Sequence, residues 1–332
     1  MPHNRIDVHS HYLGEAARQW LSGPLGFPIP AWTADSAIAF MDSHEIAAQI
    51  LSVPVPLTDD GRESGSAKRA ARQVNEDYAA LVRERPDRFG AFASISTGNE
   101  EDSLAEIAYA LDELHLDGVV LTSNSRGKYF GDDLFAPILT ELNRRRVPVF
   151  VHPADNPGIA GIERGRTWAI CEFPFDTARN IIDAIYRGVF AKYPDLRLIL
   201  AHCGGALPTL GWRIQSLNVW RAPDDVELTE TEIKGILRNF YYEIALAGGR
   251  QSLLPTLDIT DASHILFGTD FPAAPTPAID ENIDNFTELQ TQRETALAGV
   301  DRGNILELFP RFAAAPTLQE PRTGLTPSCA ES

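Results

Sequence analysis

Eight short apolar runs recur along the 332-residue chain, and longer, more polar stretches of helical period separate them. The runs predict the following strands: Arg5–His9, Ala48–Val53, Phe89–Ile95, Gly118–Leu121, Val147–His152, Leu196–Ala201, Phe240–Ile244 and Ile265–Gly268. Strands that alternate with helices in this way are typical of a parallel sheet. Eight such units, with no glycine-rich phosphate loop after any strand, favour a closed (β/α)8 TIM barrel over an open doubly wound sheet.

The stretches outside the strands predict the helices and loops. The predicted helices are Ala34–Glu45, Ser66–Arg85, Glu101–His115, Leu134–Arg145, Asp176–Lys192, Leu207–Trp220, Leu253–Leu257 and Ile279–Leu297. Two segments rich in Gly and Pro, Gly23–Trp32 and Ala154–Trp168, follow the first and fifth strands and are candidate lids or pocket walls. We expect one catalytic domain over residues 1–312 and a mobile tail over residues 313–332, which contain three prolines.

Charge and composition argue against several classes of protein. The formal net charge of −17 disfavours nucleic acid and anionic membranes as partners. The three cysteines form no CxxC pair, which fits a reducing cytoplasm. Neither a signal peptide nor an apolar run of about 20 residues is present. We therefore expect a cytoplasmic protein without nucleic-acid or membrane partners, and a homodimer or a homotetramer is compatible with the sequence.

Four histidines and one aspartate stand where predicted strands end. His9 and His11 lie at the end of the first strand, and side chains two positions apart on a strand point to the same side. His152 ends the fifth run, His202 follows the sixth and Asp270 follows the eighth. Because the carboxyl ends of barrel strands form the active site in this fold, we expect these five side chains to converge there.

Three imidazoles and one carboxylate are suitable ligands for one divalent metal ion, zinc being the first expectation and manganese the alternative. The remaining imidazole is then free for proton transfer. We assign that role to His202, although the spacing equally allows His202 and His152 to exchange roles. The fourth run ends at Leu121-Thr122-Ser123 without a lysine that could bridge a second ion, which favours a single-metal site.

Other residues of the same chemical types fall outside this pattern. His3, His44, His115 and His264 are predicted to lie on the surface or to cap helices. Cys203 is explained as a small residue beside a turn and is not taken as a nucleophile.

Five segments that span almost the whole chain carry a family resemblance. They are Ile6-Asp7-Val8-His9-Ser10-His11, Val151-His152-Pro153, Glu172-Phe173-Pro174-Phe175-Asp176-Thr177, Ala201-His202-Cys203-Gly204-Gly205 and Phe267-Gly268-Thr269-Asp270-Phe271-Pro272. Together they resemble the amidohydrolase superfamily, in the branch related to aminocarboxymuconate semialdehyde decarboxylase. Three further segments look most like 6-methylsalicylate decarboxylases: Pro30-Ala31-Trp32, Arg88-Phe89-Gly90-Ala91-Phe92-Ala93 and Glu106-Ile107-Ala108-Tyr109-Ala110-Leu111-Asp112.

The resemblance implies a metal-dependent barrel in which His9, His11, His152 and Asp270 bind one divalent ion and His202 assists catalysis. It also implies non-oxidative decarboxylation of a small aromatic hydroxy acid, such as 6-methylsalicylate, without an organic cofactor. The ion would hold the substrate's carboxylate and ortho hydroxyl, and either Asp270 or His202 would protonate the ring carbon as carbon dioxide leaves.

Aromatic side chains near these motifs would suit the walls of a pocket for such a substrate: Trp32, Phe173, Phe175 and Phe271. Two alternative functions are also considered. The first is a metal hydrolase of a lactone, amide or ester, because the same ligands can activate a bound water. The second is a non-catalytic protein that keeps the barrel, for which loss of a metal ligand would be the expected sign. No ligand is lost, so this alternative ranks last.

Overall fold

In the computed structural model, which describes residues 4–21, 30–53, 55–59 and 62–314, eight parallel strands form one sheet in the order of the sequence. The strands are β1 (Arg5–His11), β2 (Ile46–Ser52), β3 (Phe89–Ala93), β4 (Gly118–Thr122), β5 (Pro148–His152), β6 (Arg197–Leu200), β7 (Tyr241–Glu243) and β8 (Ile265–Leu266). Every predicted strand is present, and each end lies within two residues of its predicted position. The prediction of a (β/α)8 barrel is confirmed.

Thirteen α-helices lie in the described part of the chain. They are α1 (Glu15–Leu21), α2 (Ala34–Ser43), α3 (Ser66–Glu84), α4 (Glu100–Ala108), α5 (Ala136–Arg145), α6 (Glu172–Tyr186), α7 (Val189–Lys192), α8 (Leu207–Ser216), α9 (Glu230–Asn239), α10 (Arg250–Leu257), α11 (Thr276–Gln292), α12 (Glu294–Leu297) and α13 (Ile305–Leu308).

Each predicted helix is present, but several end earlier than the periodicity suggested. The helix predicted over 176–192 is divided into α6 and α7 by Gly188, whose φ of 73° is incompatible with a continuous helix. Helix α4 passes into a π-helical turn at Tyr109–Glu113. Helix α9 was not predicted, although Thr229 and Glu232 form a capping box at its start.

Backbone hydrogen bonds between β1 and the segment that follows β8 close the barrel. The amide of Val8 donates to the carbonyl of Phe267 over 3.0 Å, and the amide of His11 donates to the carbonyl of Phe271 over 2.7 Å. In the other direction, the amide of Asp270 donates to the carbonyl of His9 over 2.7 Å. The first and last strands of the barrel are therefore joined next to the predicted site.

Inward-facing side chains of the strands form a buried apolar cluster inside the barrel. Phe92 and Phe150 stack inside it with ring centroids 5.3 Å apart, and Phe309 and Phe312 belong to the same buried cluster. Arg311 donates to the carbonyl of Phe89 at the start of β3, so this terminal segment covers the amino-terminal end of the barrel. Burial of each such phenylalanine stabilises the fold by about 1.5–3 kcal/mol.

Several sequence predictions fall partly outside the described residues. The predicted tail is not described beyond residue 314, and the predicted segment Gly23–Trp32 is described only from Pro30. The domain boundary at residue 312 and the mobility of the tail therefore stay predictions. Among the described helices, none combines the length and the apolar character needed to cross a membrane.

Candidate metal centre

A bulge in β1 turns both of its histidines into the barrel. Between Asp7 and Ser10, β1 advances three residues while its partner β2 advances two. Val8 belongs to the interior cluster, and on a regular strand its neighbour His9 would point outward. The extra residue removes this conflict, so that Val8, His9 and His11 all face inward.

Four side chains from three places in the barrel meet at its carboxyl end. His9 and His11 come from β1, His152 from the end of β5 and Asp270 from the loop after β8, and one ligand atom of each lies within 4.8 Å of the others. The Nε2 atoms of His9 and His11 are 3.2 Å apart, and Asp270 Oδ1 lies 3.4 Å from the first and 2.8 Å from the second. A tetrahedral ion with bonds of about 2.1 Å separates its ligand atoms by about 3.4 Å, so the group fits one small divalent ion.

Each histidine of the site is oriented through Nδ1, which leaves Nε2 for the centre. For three of the four rings the partner oxygen can only accept, so Nδ1 must carry the hydrogen. The pairs are His9 with Glu243 Oε1 at 2.8 Å, His152 with the Pro153 carbonyl at 2.7 Å, His202 with the Ala245 carbonyl at 2.8 Å and His11 with Ser52 Oγ at 3.2 Å.

His202 lies beside the four-residue group on a left-handed turn. Its ring centroid is 4.9 Å from that of His9 and 6.2 Å from that of His152, and its side chain is partly exposed. The φ angles from His202 to Gly205 are 54°, 55°, 73° and 62°. A Cβ on Gly205 would lie 2.3 Å from the Pro174 carbonyl oxygen, so this position requires glycine.

Asp7 anchors the strands that carry the ligands. It is fully buried, and its Oδ1 accepts hydrogen bonds from the amides of His9 and Thr269, each over 3.0 Å. Its Oδ2 accepts from the Ser10 and Thr269 hydroxyls and from the Gln49 amide group. Burial outweighs these bonds and raises the pKa of Asp7 to about 6. Asp7 thus links β1 to β2 and to the loop after β8.

Glu243 is a site residue that the sequence did not predict. It ends β7, is fully buried and contacts His9 Nδ1. With His9 and His202 it forms a second group of potential ligands. In the sequence, Glu243 lies inside the predicted strand Phe240–Ile244, one residue before its end, so a search for polar groups at the ends of apolar runs does not select it.

The electrostatics of the centre favour a cation. Burial opposes ionisation of Asp270, but His9 and His11 outweigh it and hold the pKa of this carboxyl well below its usual range. Burial also opposes protonation of His9, yet Glu243 and Asp270 raise the pKa of His9 to about 10. Burial lowers the pKa of His11 and of His152. Burial also opposes ionisation of Glu243, but His9 and His202 outweigh it and lower the pKa of Glu243. Two carboxylates with lowered pKa therefore face one ring with a raised pKa.

A small cavity lies beside this group at the ends of β2, β3 and β4. Ser52, which contacts His11, precedes it in the chain, and Thr122 pairs with His152 across the sheet. Its lining carries no charged side chain among the described residues: Val53, Val55, Pro56, Leu57, Ser94, Ile95, Thr97, Val120, Leu121 and Thr122.

The four predicted aromatic wall residues have different surroundings. Phe173 lies beside the centre, with its ring centroid 6.4 Å from that of His152. Phe271 stacks on Phe40, and Trp32 packs on Tyr12. Phe175 is 43% exposed. Of the four, Phe173 is the one with a ring contact to the centre.

Comparison with known proteins assigns the family. A profile of the amidohydrolase family matches residues 6–311. The 6-methylsalicylic acid decarboxylase of Aspergillus aculeatus is 35% identical over 94% of this chain and 97% of its own length. The 6-methylsalicylic acid decarboxylase of Penicillium expansum is 34% identical over 93% of this chain and 97% of its own length. The chain belongs to the amidohydrolase family.

A solved relative has the same fold. The dihydroxybenzoic acid decarboxylase of Polaromonas sp. JS666, solved with bound manganese and the inhibitor 2-nitroresorcinol, superposes with a TM-score of 0.79 at 25% identity. The alignment covers 92% of this chain and 97% of that one. The resemblance inferred from sequence motifs is thereby confirmed.

Proposed function

We propose that this protein is a metal-dependent carboxy-lyase that removes the carboxylate of a small aromatic hydroxy acid without oxidation, with 6-methylsalicylate as the model substrate. The observation that carries the proposal is the convergence of three imidazole nitrogens and one carboxylate at the carboxyl end of the barrel. Similarity to two 6-methylsalicylic acid decarboxylases over most of the chain supports the substrate class.

His9, His11, His152 and Asp270 would hold one divalent ion. That ion would supply a positive charge for the substrate's carboxylate and ortho hydroxyl. The sequence favoured zinc, but the donors suit either zinc or manganese, and the Polaromonas relative contains manganese. Elemental analysis of protein purified without chelators identifies the ion, and the absence of any metal would contradict the proposal.

His202 is the residue we assign to proton transfer. Its Nδ1 hydrogen is held by the Ala245 carbonyl, which leaves Nε2 to carry the proton that the ring carbon receives. Asp270 suits this role less, because His9 and His11 hold its pKa well below the usual range and keep it ionised. His152 is buried among the proposed ligands, where burial lowers its pKa well below the usual value.

The reaction then has two changes at one carbon. The ring carbon that bears the carboxylate accepts a proton and loses aromaticity, and the bond to the carboxylate breaks. Carbon dioxide leaves, and the bonding electrons restore the aromatic ring.

Turnover in deuterium oxide tests the reaction. We expect 6-methylsalicylate and metal-loaded protein to give carbon dioxide and a phenol with deuterium at the carbon that lost the carboxylate. Simple lactones and amides serve as the comparison substrates, because a hydrolase would label no ring carbon. Efficient lactone or amide cleavage, with no carbon dioxide from any hydroxybenzoate, would replace the decarboxylase by a hydrolase.

We further propose that the protein acts as a homodimer or homotetramer in the cytoplasm, without nucleic-acid or membrane partners. Large exposed apolar side chains support self-association: Trp212, Val219 and Trp220 are 70%, 76% and 77% exposed. Light scattering after size exclusion measures the assembly, and a monomer at micromolar concentration would contradict it. Cell fractionation tests the location.

A further inference from the structure

Glu243 contacts three hydrogen-bond donors from two parts of the proposed machinery. Its Oε1 accepts from the ring Nδ1 of His9 over 2.8 Å and from the backbone amide of His202 over 2.5 Å. Its Oε2 accepts from the amide of Ala245 over 2.7 Å. The side chain is fully buried, so these contacts are not shared with bulk solvent.

The same segment holds His202 a second time. The carbonyl of Ala245 accepts the ring Nδ1 hydrogen of His202 over 2.8 Å, while Glu243 accepts from the amide of Ala245. His202 is therefore held through its backbone by the Glu243 carboxylate and through its ring by the residue that this carboxylate fixes. His202 needs this support because its φ of 54° is unfavourable for any residue other than glycine.

The absence of a side chain at Gly268 leaves space for the Glu243 carboxylate. A Cβ added to Gly268 would lie 2.0 Å from Glu243 Oε2 and 3.1 Å from the Cβ of His9. The φ of Gly268 is not in the left-handed region, so its backbone conformation does not require glycine. Glycine is required here because any side chain would collide with the Glu243 carboxylate.

We propose that Glu243 is a positioning residue that joins His9 and His202 in one hydrogen-bonded unit, so that one carboxylate sets both metal affinity and turnover. It fixes the hydrogen of His9 on Nδ1 and leaves Nε2 to face the metal. It also fixes the turn that presents His202. This inference rests on the proposed function, because it takes His9 as a metal ligand and His202 as the proton carrier.

Glu243→Gln is the informative variant. All three partners are donors, and a glutamine has one accepting oxygen in place of two, so its amide group must face at least one donor. We expect a 10- to 100-fold loss of metal affinity, measured by competition with a chromophoric chelator in the absence of substrate. We also expect turnover of 6-methylsalicylate at saturating metal to stay at least tenfold below wild type, because added metal does not restore the position of His202.

Two control variants separate positioning from general destabilisation. Ser52→Ala removes the neutral partner of His11 without touching His202, and should lose less metal affinity and regain more turnover at saturating metal than Glu243→Gln. Glu106→Gln alters a buried carboxylate that contacts Arg72 and Asn75, away from the centre. It should lower the unfolding temperature and leave metal affinity and turnover at wild-type values.

Wild-type metal affinity in Glu243→Gln, or wild-type turnover once metal is saturating, would overturn the proposal. If Glu243→Gln does not fold, Glu243→Asp keeps both acceptors but withdraws them by one methylene, and the same joint loss is expected. A wild-type protein that binds metal but releases no carbon dioxide would refute the proposed function. The affinity comparison would still decide whether Glu243 positions His9.

Discussion

The two nitrogens of each imidazole in the centre have different tasks. Nδ1 is engaged by a protein oxygen at His9, His11, His152 and His202, and this fixes the ring before any ion or substrate binds. The proposed proton carrier, His202, therefore differs from the three proposed histidine ligands in where its ring lies and not in how its ring is oriented. His202 stands outside the group whose ligand atoms meet, on a turn that leaves it partly exposed.

At this scale we predict that His152→Ala and His202→Ala fail in different ways. His152→Ala should lose bound metal, because one of four ligands is removed. His202→Ala should keep its metal and its fold but lose about 10²- to 10⁴-fold in kcat, since proton transfer contributes rate increases of that size. Metal content and turnover of both purified variants decide this. Equal metal loss in the two would make His202 a ligand.

We also predict that binding of the ion releases about one proton per chain near pH 7. The pKa of His9 is raised to about 10 by Glu243 and Asp270 against the effect of burial, so this ring is protonated and must lose a proton to bind. Burial lowers the pKa of His11 and His152, which are already neutral. Around pH 7, affinity should therefore rise about tenfold per pH unit.

Calorimetry in buffers of different ionisation enthalpy counts the released proton directly. Glu243→Gln is the matched control, because it keeps all four proposed ligands but removes one of the two carboxylates that raise the pKa of His9, and it should therefore release fewer protons. Release of no proton by the wild-type protein at pH 7 would contradict the assigned protonation of His9.

At the scale of the elements, the sequence was sufficient for the order of strands and for most of the site. The strands and the five site residues proposed from the sequence follow from apolar runs that end in, or are followed by, a polar residue. The β1 bulge was not predictable, because it depends on Asp7 bonds to residues of β2 and of the loop after β8. The left-handed turn at His202 was missed for a similar reason, since its support comes from Glu243 on another strand.

We predict that replacing Asp7 destabilises the elements that carry the site. Asp7→Ala would leave five donors of β1, β2 and the loop after β8 without their acceptor. Each buried unpaired donor costs about 1–3 kcal/mol, partly offset because the buried charge is removed, so we expect the free energy of unfolding to fall by at least about 3 kcal/mol.

Chemical denaturation measures the effect of Asp7→Ala, with Asp59→Ala as the control. Asp59 also accepts several hydrogen bonds, at the start of α3, but it is only partly buried, and loss of a cap there costs about 1 kcal/mol. Equal decreases in the free energy of unfolding of the two variants would contradict the role of Asp7 in linking β1 to β2 and to the loop after β8.

For the whole molecule, metal removal should lower thermal stability. An ion that binds only the folded chain stabilises it by about 4 kcal/mol when its free concentration is a thousandfold above Kd. For a protein of this size we expect a loss of roughly 5 °C in Tm after chelation, restored by added ion. His152→Ala should show a smaller change, and an unchanged Tm in the wild-type protein would argue against a bound ion.

The closure of the barrel has a consequence for biosynthesis. His11 and Asp270, whose ligand atoms are 2.8 Å apart, are separated by 259 positions in the chain. A ribosome must therefore have released nearly the whole barrel before both can reach the same ion. Partly made chains hold the two histidines of β1 without the carboxylate, so they have no complete site in which to trap a metal. If these residues hold the proposed ion, its capture would come late, in chains whose first and last strands have met.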